Sequence, residues 1–213
     1  MALISGTFIG PTPEAVSEPA QHVVAELSEH GWCAYDNFIS DTLTETLREE
    51  ACNQWNGGGF RAGGVGSGAL HRHDRDLRGD DVSWLEEKGS TNAQRDCLAR
   101  FEELRLAINR DLQLGLFEFE CHFARYPAGG AYGRHLDQFA KNGSRLLSCV
   151  LYLNEAWLPA DEGELRLHFL DRHFDIAPVG GRLVCFFSAR FEHEVLPPRR
   201  QRLSLTGWFH RRP

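Results

Sequence analysis

The sequence has no Cys-x-x-Cys pair, no apolar run long enough to cross a bilayer and no surplus of positive charge. Each absence removes a class of protein. The six cysteines, at positions 33, 52, 97, 121, 149 and 185, are too widely spaced for a zinc site or a disulfide framework. They read as buried free thiols of a reducing compartment. The opening Met1-Ala2-Leu3-Ile4-Ser5-Gly6 has no basic segment, and its apolar run is too short for a secretory signal. A cytoplasmic protein without a membrane partner is expected. The net charge of -7 gives a field that repels phosphate backbones, so no nucleic-acid partner is expected either. Arg199, Arg200, Arg202, Arg211 and Arg212 read as solvated strand ends plus one buried functional arginine. The glycine-dense stretch Gly57–Leu70 contains neither Gly-Lys-Ser/Thr nor Gly-x-Gly-x-x-Gly, which excludes a phosphate cradle. It reads as a mobile binding loop. The His71-Arg72-His73-Asp74-Arg75-Asp76 run after it reads as a solvated charged loop. There is no internal repeat and no low-complexity tail.

What is present is a chain of 213 residues, 42% hydrophobic and 25% charged, enough for one domain with a substantial core. Helical periodicity marks about 13–30, with Val16, Val23, Val24 and Leu27 in a stripe and Gly31 as the stop. Ser40 or Asp41 caps a second helix to about Gln54. Leu98, Phe101, Leu104 and Ile108 place a third over 91–112. A short strand is expected at 32–38 and another at 82–85. From Leu116 onward strands follow one another, at 116–126, 132–136, 146–154, 163–169, 183–188, 192–196 and 202–209, separated by glycine, proline and asparagine turns. The layout is α+β. A double-stranded β-helix (jelly roll) core over 114–213 is expected, with the helices of 1–113 buttressing one sheet and that region also carrying the substrate loop.

The chemistry gathers in Tyr132-Gly133-Arg134-His135-Leu136-Asp137. Successive side chains of a strand point to opposite faces, so His135 and Asp137 share one side and Leu136 turns away. Two imidazoles and a carboxylate on one side of a cation form the facial triad of non-haem Fe(II) oxygenases, which leaves positions open for substrate and O2. His193 is the expected second imidazole. A competing pair, His173 and Asp175, stands about one strand and a turn before His193, too close for a jelly roll to bring the two together. His135 precedes His193 by 58 residues, room for four strands. His173 and Asp175 therefore read as surface residues at a strand end. The remaining histidines, His122 among them, lack ligand spacing and read as surface or satisfied core residues. Arg202 follows His193 by nine residues. The strands carrying His193 and Arg202 are expected to pair as neighbours through the Pro197-Pro198 turn. An arginine leading the run Leu203–Trp208 is costly to bury without an anion, and a dicarboxylate cosubstrate would supply one.

Several segments occur in one order at compatible spacing. They are Arg78-Gly79-Asp80-x-x-x-Trp84, Arg125-Tyr126-Pro127, the His135 segment, Val150-Leu151-Tyr152-Leu153-Asn154, Gly163–Leu167, Phe187-Ser188, His193-Glu194-Val195 and Arg202-x-x-x-Thr206-x-Trp208. Together they resemble the 2-oxoglutarate- and Fe(II)-dependent prolyl hydroxylases, especially the oxygen-sensing branch that acts on hypoxia-inducible factor, and its bacterial relatives. The resemblance implies that His135, Asp137 and His193 bind Fe(II). It implies that Arg202 pairs with the distal carboxylate of 2-oxoglutarate beside Tyr152 and Thr206, and that Tyr126 lines that pocket. Trp208 would wall the substrate site, and Asp80, Trp84 and Arg145 would stand near the substrate peptide. The implied reaction consumes O2 and 2-oxoglutarate, releases succinate and CO2 and hydroxylates a prolyl residue of a protein, with ascorbate as an accessory reductant. From the bacterial relatives the expected partner is a translation component such as elongation factor Tu or a ribosomal protein. Two alternatives stand beside this: a hydroxylase of a small molecule or free amino acid, and a non-catalytic jelly-roll binding module. A nucleic-acid demethylase is disfavoured because Arg202-Leu203-Ser204-Leu205-Thr206 departs from the Arg-x-Asn-x-Thr-x-x-Arg of those enzymes.

Overall fold

The computed structural model describes residues 17–64, 74–86, 89–138 and 144–211. Helix α1 (Glu18–His30) begins on Ser17 with a proline in its first turn and ends on Gly31 at φ 78°, the left-handed stop that glycine adopts without strain. Residues 13–16 of the expected first helix, Val16 included, lie outside the described residues. Helix α2 (Asp41–Asn56) is capped by Ser40, whose side chain accepts from the Leu43 N–H at 3.2 Å. Helix α3 (Asn92–Leu112) is capped by Thr91, which accepts from the Gln94 N–H at 3.1 Å.

The strands are β1 (Trp32–Tyr35), β2 (Arg61–Ala62), β3 (Asp81–Trp84), β4 (Leu116–Tyr126), β5 (Tyr132–His135), β6 (Arg145–Tyr152), β7 (Leu165–His168), β8 (His173–Ile176), β9 (Leu183–Phe187), β10 (His193–Val195) and β11 (Arg202–Arg211). They form a seven-stranded sheet in the order β1-β9-β6-β11-β4-β3-β2 and a four-stranded sheet in the order β5-β10-β7-β8. Every pairing is antiparallel. Two facing antiparallel sheets with helices on the outer face of the larger one match the expected α+β jelly roll.

Alternation along the central strands sorts the side chains into two layers. Odd-numbered residues, among them Cys121, Phe123, Leu147, Cys149, Leu151, Cys185, Leu205 and Phe209, join the core against the helices. Even-numbered Ala124, Tyr126, Val150, Tyr152, Val184 and Phe186 face inward with Leu165, Leu167 and Val195 of the smaller sheet. The register sets inward residues side by side: Thr206 lies between His122 and Val150, and Trp208 between Glu120 and Ser148. Gly207 admits no side chain, because a Cβ there would come within 2.5 Å of the Glu120 carbonyl. All six cysteines are free thiols.

Three expectations are corrected. The strands carrying His193 and Arg202 are not neighbours: β10 pairs with β5 and β7, whereas β11 pairs with β4 and β6. The Pro197-Pro198 segment crosses from one sheet to the other, as sandwich connections do. His173 and Asp175 are exposed, as expected of surface residues, but they stand in an edge strand, β8, that the expected strands omit, with Asp175 ion-paired to Arg166 at 2.7 Å. The glycine-rich stretch begins with order: β2 pairs with β3, and the Gly63 N–H donates to the Asp80 carbonyl at 2.9 Å. Residues 65–70 of that stretch, with His71, Arg72 and His73 after it, lie outside the described residues.

Candidate active site

A cavity of about 790 Å³ opens between the two sheets. One edge of the sandwich is closed by Trp32 of the larger sheet against Phe174 of the smaller, ring centroids 5.3 Å apart. The other edge is bridged by the segment before β3, where Arg78 pairs with Tyr132 of β5. The cavity lies on that side.

His135 and His193 are direct cross-strand partners on β5 and β10. Cross-strand pairing brings two side chains of one face within about 5 Å, and their ring centroids stand 4.2 Å apart. Asp137, two residues beyond His135, turns back to the same side. Its Oδ1 is 3.6 Å from His135 Nε2 and its Oδ2 3.5 Å from His193 Nε2. Leu136 between them is exposed at the mouth of the same cavity. Among the described residues this is the group of histidine, cysteine and acidic side chains whose ligand atoms converge, all within 4.8 Å of one another. His135 Nδ1 lies 2.8 Å from the Gly133 carbonyl and His193 Nδ1 3.2 Å from that of Phe191. If each Nδ1 donates its proton there, each Nε2 lone pair faces Asp137. Burial pushes His193 down to about 4, with the Asp137 charge opposing, so the ring is neutral at neutral pH. Burial opposes ionisation of Asp137, yet the two histidines and Ser148 hold its carboxyl well below the ordinary range. Two imidazole nitrogens and one carboxylate on one side of a point, the rest open, suit Fe(II).

Arg202 begins β11 at the other end of the cavity, opposite Tyr126 of β4. It is 1% exposed, and its Nε donates to the Gly163 carbonyl at 2.9 Å. Its guanidinium carbon lies 5.2 Å from the Tyr126 ring and 5.0 Å from the Tyr152 ring. Arg202 Nη2 and Tyr152 Oη are both buried without a hydrogen-bond partner. Burial raises the Tyr152 phenol, which stays protonated and is a donor. A buried cation and a buried donor left together are costly unless an anion joins them, and a carboxylate matches both. Ser148 touches Asp137 and Tyr152 touches Arg202, four residues apart on β6. At about 3.3 Å per residue that is roughly 13 Å, a distance a five-carbon dicarboxylate can bridge between side chains. Thr206 lies between the two ends, its Oγ1 3.2 Å from Ser204 Oγ.

The outer wall is aromatic. Trp208 lies under the Arg145 guanidinium at 3.7 Å, and Arg145 is ion-paired with Glu120 at 2.7 Å. Trp84 is half-exposed at the rim, 6.3 Å from Trp208 between centroids. Asp80 is 1% exposed and is held by Arg78 at 2.7 Å. Its carboxylate thus anchors Arg78, which covers the Tyr132 ring at 4.8 Å.

Sequence reasoning missed several residues of this site. Tyr132 stacks on His135 with centroids 3.7 Å apart. Ser148 and Ser188 lie behind Asp137. His122 lines the cavity between Trp84 and Trp208, at 4.8 and 5.6 Å. Alternation from Tyr126 back to His122 on one long strand was the available signal for the last. Burial, then the charge of Arg78, pushes His122 down from 6.5 to about 4. The unfolded chain therefore takes up this proton first, and stability falls as pH drops from about 6.5 to about 4. The loss attributable to this ring is on the order of 3 kcal/mol. Denaturant unfolding at pH 7 and pH 4 should show that drop for the wild type and a correspondingly shallower one for His122→Phe.

Comparison with known proteins agrees with this geometry. The 2OG-Fe(II) oxygenase superfamily matches residues 121–210. A prolyl-4-hydroxylase crystal structure from Pseudomonas putida is 43% identical, with a TM-score of 0.83 over 91% of this chain and 100% of that one. The chain belongs to the 2-oxoglutarate–Fe(II) oxygenases, in their prolyl hydroxylase branch. This oxygenase is also 30% identical to the mouse prolyl hydroxylase EGLN3, over 89% of this chain and 82% of that protein. A Caenorhabditis elegans hypoxia-inducible factor prolyl hydroxylase is 29% identical over 89% of this chain, which spans 28% of that longer protein. A Trichoplax adhaerens prolyl hydroxylase, solved with a hypoxia-inducible factor peptide, superposes with a TM-score of 0.82 at 26% identity, over 90% of this chain and 88% of that one. The oxygenase uses Fe(II), 2-oxoglutarate and O2, as its superfamily does. No helix among the described residues is long and apolar enough to cross a membrane.

Proposed function

We propose that this chain is an Fe(II)- and 2-oxoglutarate-dependent dioxygenase that hydroxylates a prolyl residue in a protein substrate. The observation that carries it is the pairing, across one cavity, of a His-Asp-His cluster with a buried arginine and tyrosine that lack an anion. A binding module has no use for that set. His135, Asp137 and His193 hold the iron. Arg202 and Tyr152 receive the distal carboxylate of 2-oxoglutarate, with Thr206 and Tyr126 lining its length. Trp208, Trp84 and Arg145 form the wall against which the substrate segment lies, and Asp80 acts through Arg78 at its margin. Bound iron supplies the oxidative chemistry, in which O2 and 2-oxoglutarate yield succinate, CO2 and one hydroxyl group on the substrate. The protein orients the target C–H bond and excludes water with an apolar lining that includes Val150, Leu165 and Val195. The chain acts as one oxygenase domain, 1–113 supporting and 114–213 catalytic.

A polypeptide substrate is supported by the peptide-bound relative and by the open, aromatic outer wall. Within that class the proposed partner is a translation component such as elongation factor Tu or a ribosomal protein, in a reducing cytoplasm that suits the free cysteines. Ascorbate would keep the iron reduced, and oxygen sensing would follow from an O2 affinity weak enough that turnover tracks ambient O2. The test is incubation with Fe(II), 2-oxoglutarate and each candidate protein, read by succinate release and by peptide mass. A gain of one oxygen atom on a proline supports the reading. Succinate release that no protein stimulates replaces it with a small-molecule hydroxylase.

A further inference from the structure

The three clustered side chains are not held equally. His135 and His193 sit on paired strands, and each ring nitrogen away from the cluster lies within hydrogen-bond distance of a backbone carbonyl. Asp137 stands beyond the end of β5, outside any ladder. Its carboxylate is oriented by a side chain of the other sheet: Ser148 Oγ donates to Asp137 Oδ2 at 2.6 Å. Ser148 is at the centre of β6, paired with Trp208 on one side and Phe186 on the other. It is 1% exposed, and its Oγ lies 2.9 Å from that of Ser188, which is fully buried.

A hydroxyl carries one proton. The ionised carboxylate can only accept, so the Ser148 proton goes to Asp137. Ser148 must then accept, and Ser188 is the donor. The direction of the relay follows: Ser188 Oγ–H to Ser148 Oγ, and Ser148 Oγ–H to Asp137 Oδ2. Each bond polarises the next, which strengthens the one that reaches the carboxylate. With Oδ2 engaged, Asp137 has one oxygen, Oδ1, fully free for a cation. We propose that Ser148, backed by Ser188, is a positioning residue that keeps Asp137 a one-oxygen ligand. The positions that the keto acid and O2 require then stay clear. Without the relay the carboxylate can turn and engage a cation through both oxygens, filling a position the reaction needs. This rests on the iron-site reading above.

Mn(II) binding followed by electron paramagnetic resonance tests it on the full chain, alongside 2-oxoglutarate KM and the ratio of hydroxylated substrate to succinate. Ser148→Ala should change Mn(II) affinity and raise the 2-oxoglutarate KM, each on the order of tenfold, the scale on which partners of metal ligands act. Its Mn(II) spectrum should alter and its product ratio fall. Ser188→Ala should show the same pattern more weakly, and Ser148→Thr, which keeps the hydroxyl, should restore all four readouts. Wild-type spectrum, KM and product ratio in Ser148→Ala would overturn the proposal. So would failure of Ser148→Thr to rescue while its thermal unfolding matches wild type, since that outcome assigns Ser148 to packing alone. Absence of Mn(II) binding by the wild-type chain would instead sink the iron-site reading itself.

Discussion

Asp137→Ala abolishes metal uptake and, with it, succinate formation. Asp137 contributes the anionic donor among the three converging side chains; both others are imidazoles. Its loss leaves two neutral nitrogens, and the affinity should fall by roughly 100-fold or more, given that even the outer partners of metal ligands are worth about 10- to 100-fold. The fold should survive. The carboxylate is buried among two imidazoles and a serine that hold it ionised, so its removal costs some stability, which is read separately from the loss of metal. Mn(II) titration together with circular dichroism melting separates the two effects. Metal binding and turnover retained in Asp137→Ala would mean that the cluster is not the iron site.

Arg202→Met is the second large effect, and it falls on a different step. The guanidinium is buried with Nη2 unpartnered, beside the unpartnered Tyr152 hydroxyl. A charge-assisted pair with a carboxylate in such a setting is worth on the order of 3 kcal/mol, so the 2-oxoglutarate KM should rise roughly 100-fold. Metal affinity should not change, because Arg202 lies at the opposite end of the cavity from Asp137. Thermal stability without cosubstrate should hold or increase, since methionine keeps much of the apolar stem and removes an unmatched buried charge. The rise in Tm that 2-oxoglutarate gives the wild type should vanish. An unchanged KM and an unchanged Tm response would show that the arginine does not receive the cosubstrate.

The two variants divide the site as the strands do. The proposed metal donors come from the small sheet and the turn after β5, while the proposed cosubstrate end comes from β4, β6 and β11 of the large sheet. Each half is a surface of a separate antiparallel sheet, and the reaction needs the space between them. That is why the expectation of a His193–Arg202 hairpin failed although both residues reach the same cavity. Two strands adjacent in sequence can pair or can pass to opposite sheets, and local pattern is the same in both cases.

The sequence by itself determined the three helices, most of the strands and the chemistry of the ends. Caps at Ser40 and Thr91, the glycine stop at Gly31 and the alternation of the later strands are local signals, and local energetics carry them into the structure. The His-x-Asp spacing likewise carries its own geometry, because two residues apart on an extended chain means one side. Tertiary structure alone decided which sheet each strand joined, that β8 is a strand although its inward pattern is weak, and that His122, Ser148 and Ser188 reach the site. Those three are ordinary polar residues in the chain order. His122 and Ser148 become part of the site through register, which sets Thr206 against His122 and Trp208 against Ser148, and Ser188, just past β9, joins through Ser148. Register is a long-range quantity, fixed by burying one face of every strand at once, and no short stretch of sequence contains it.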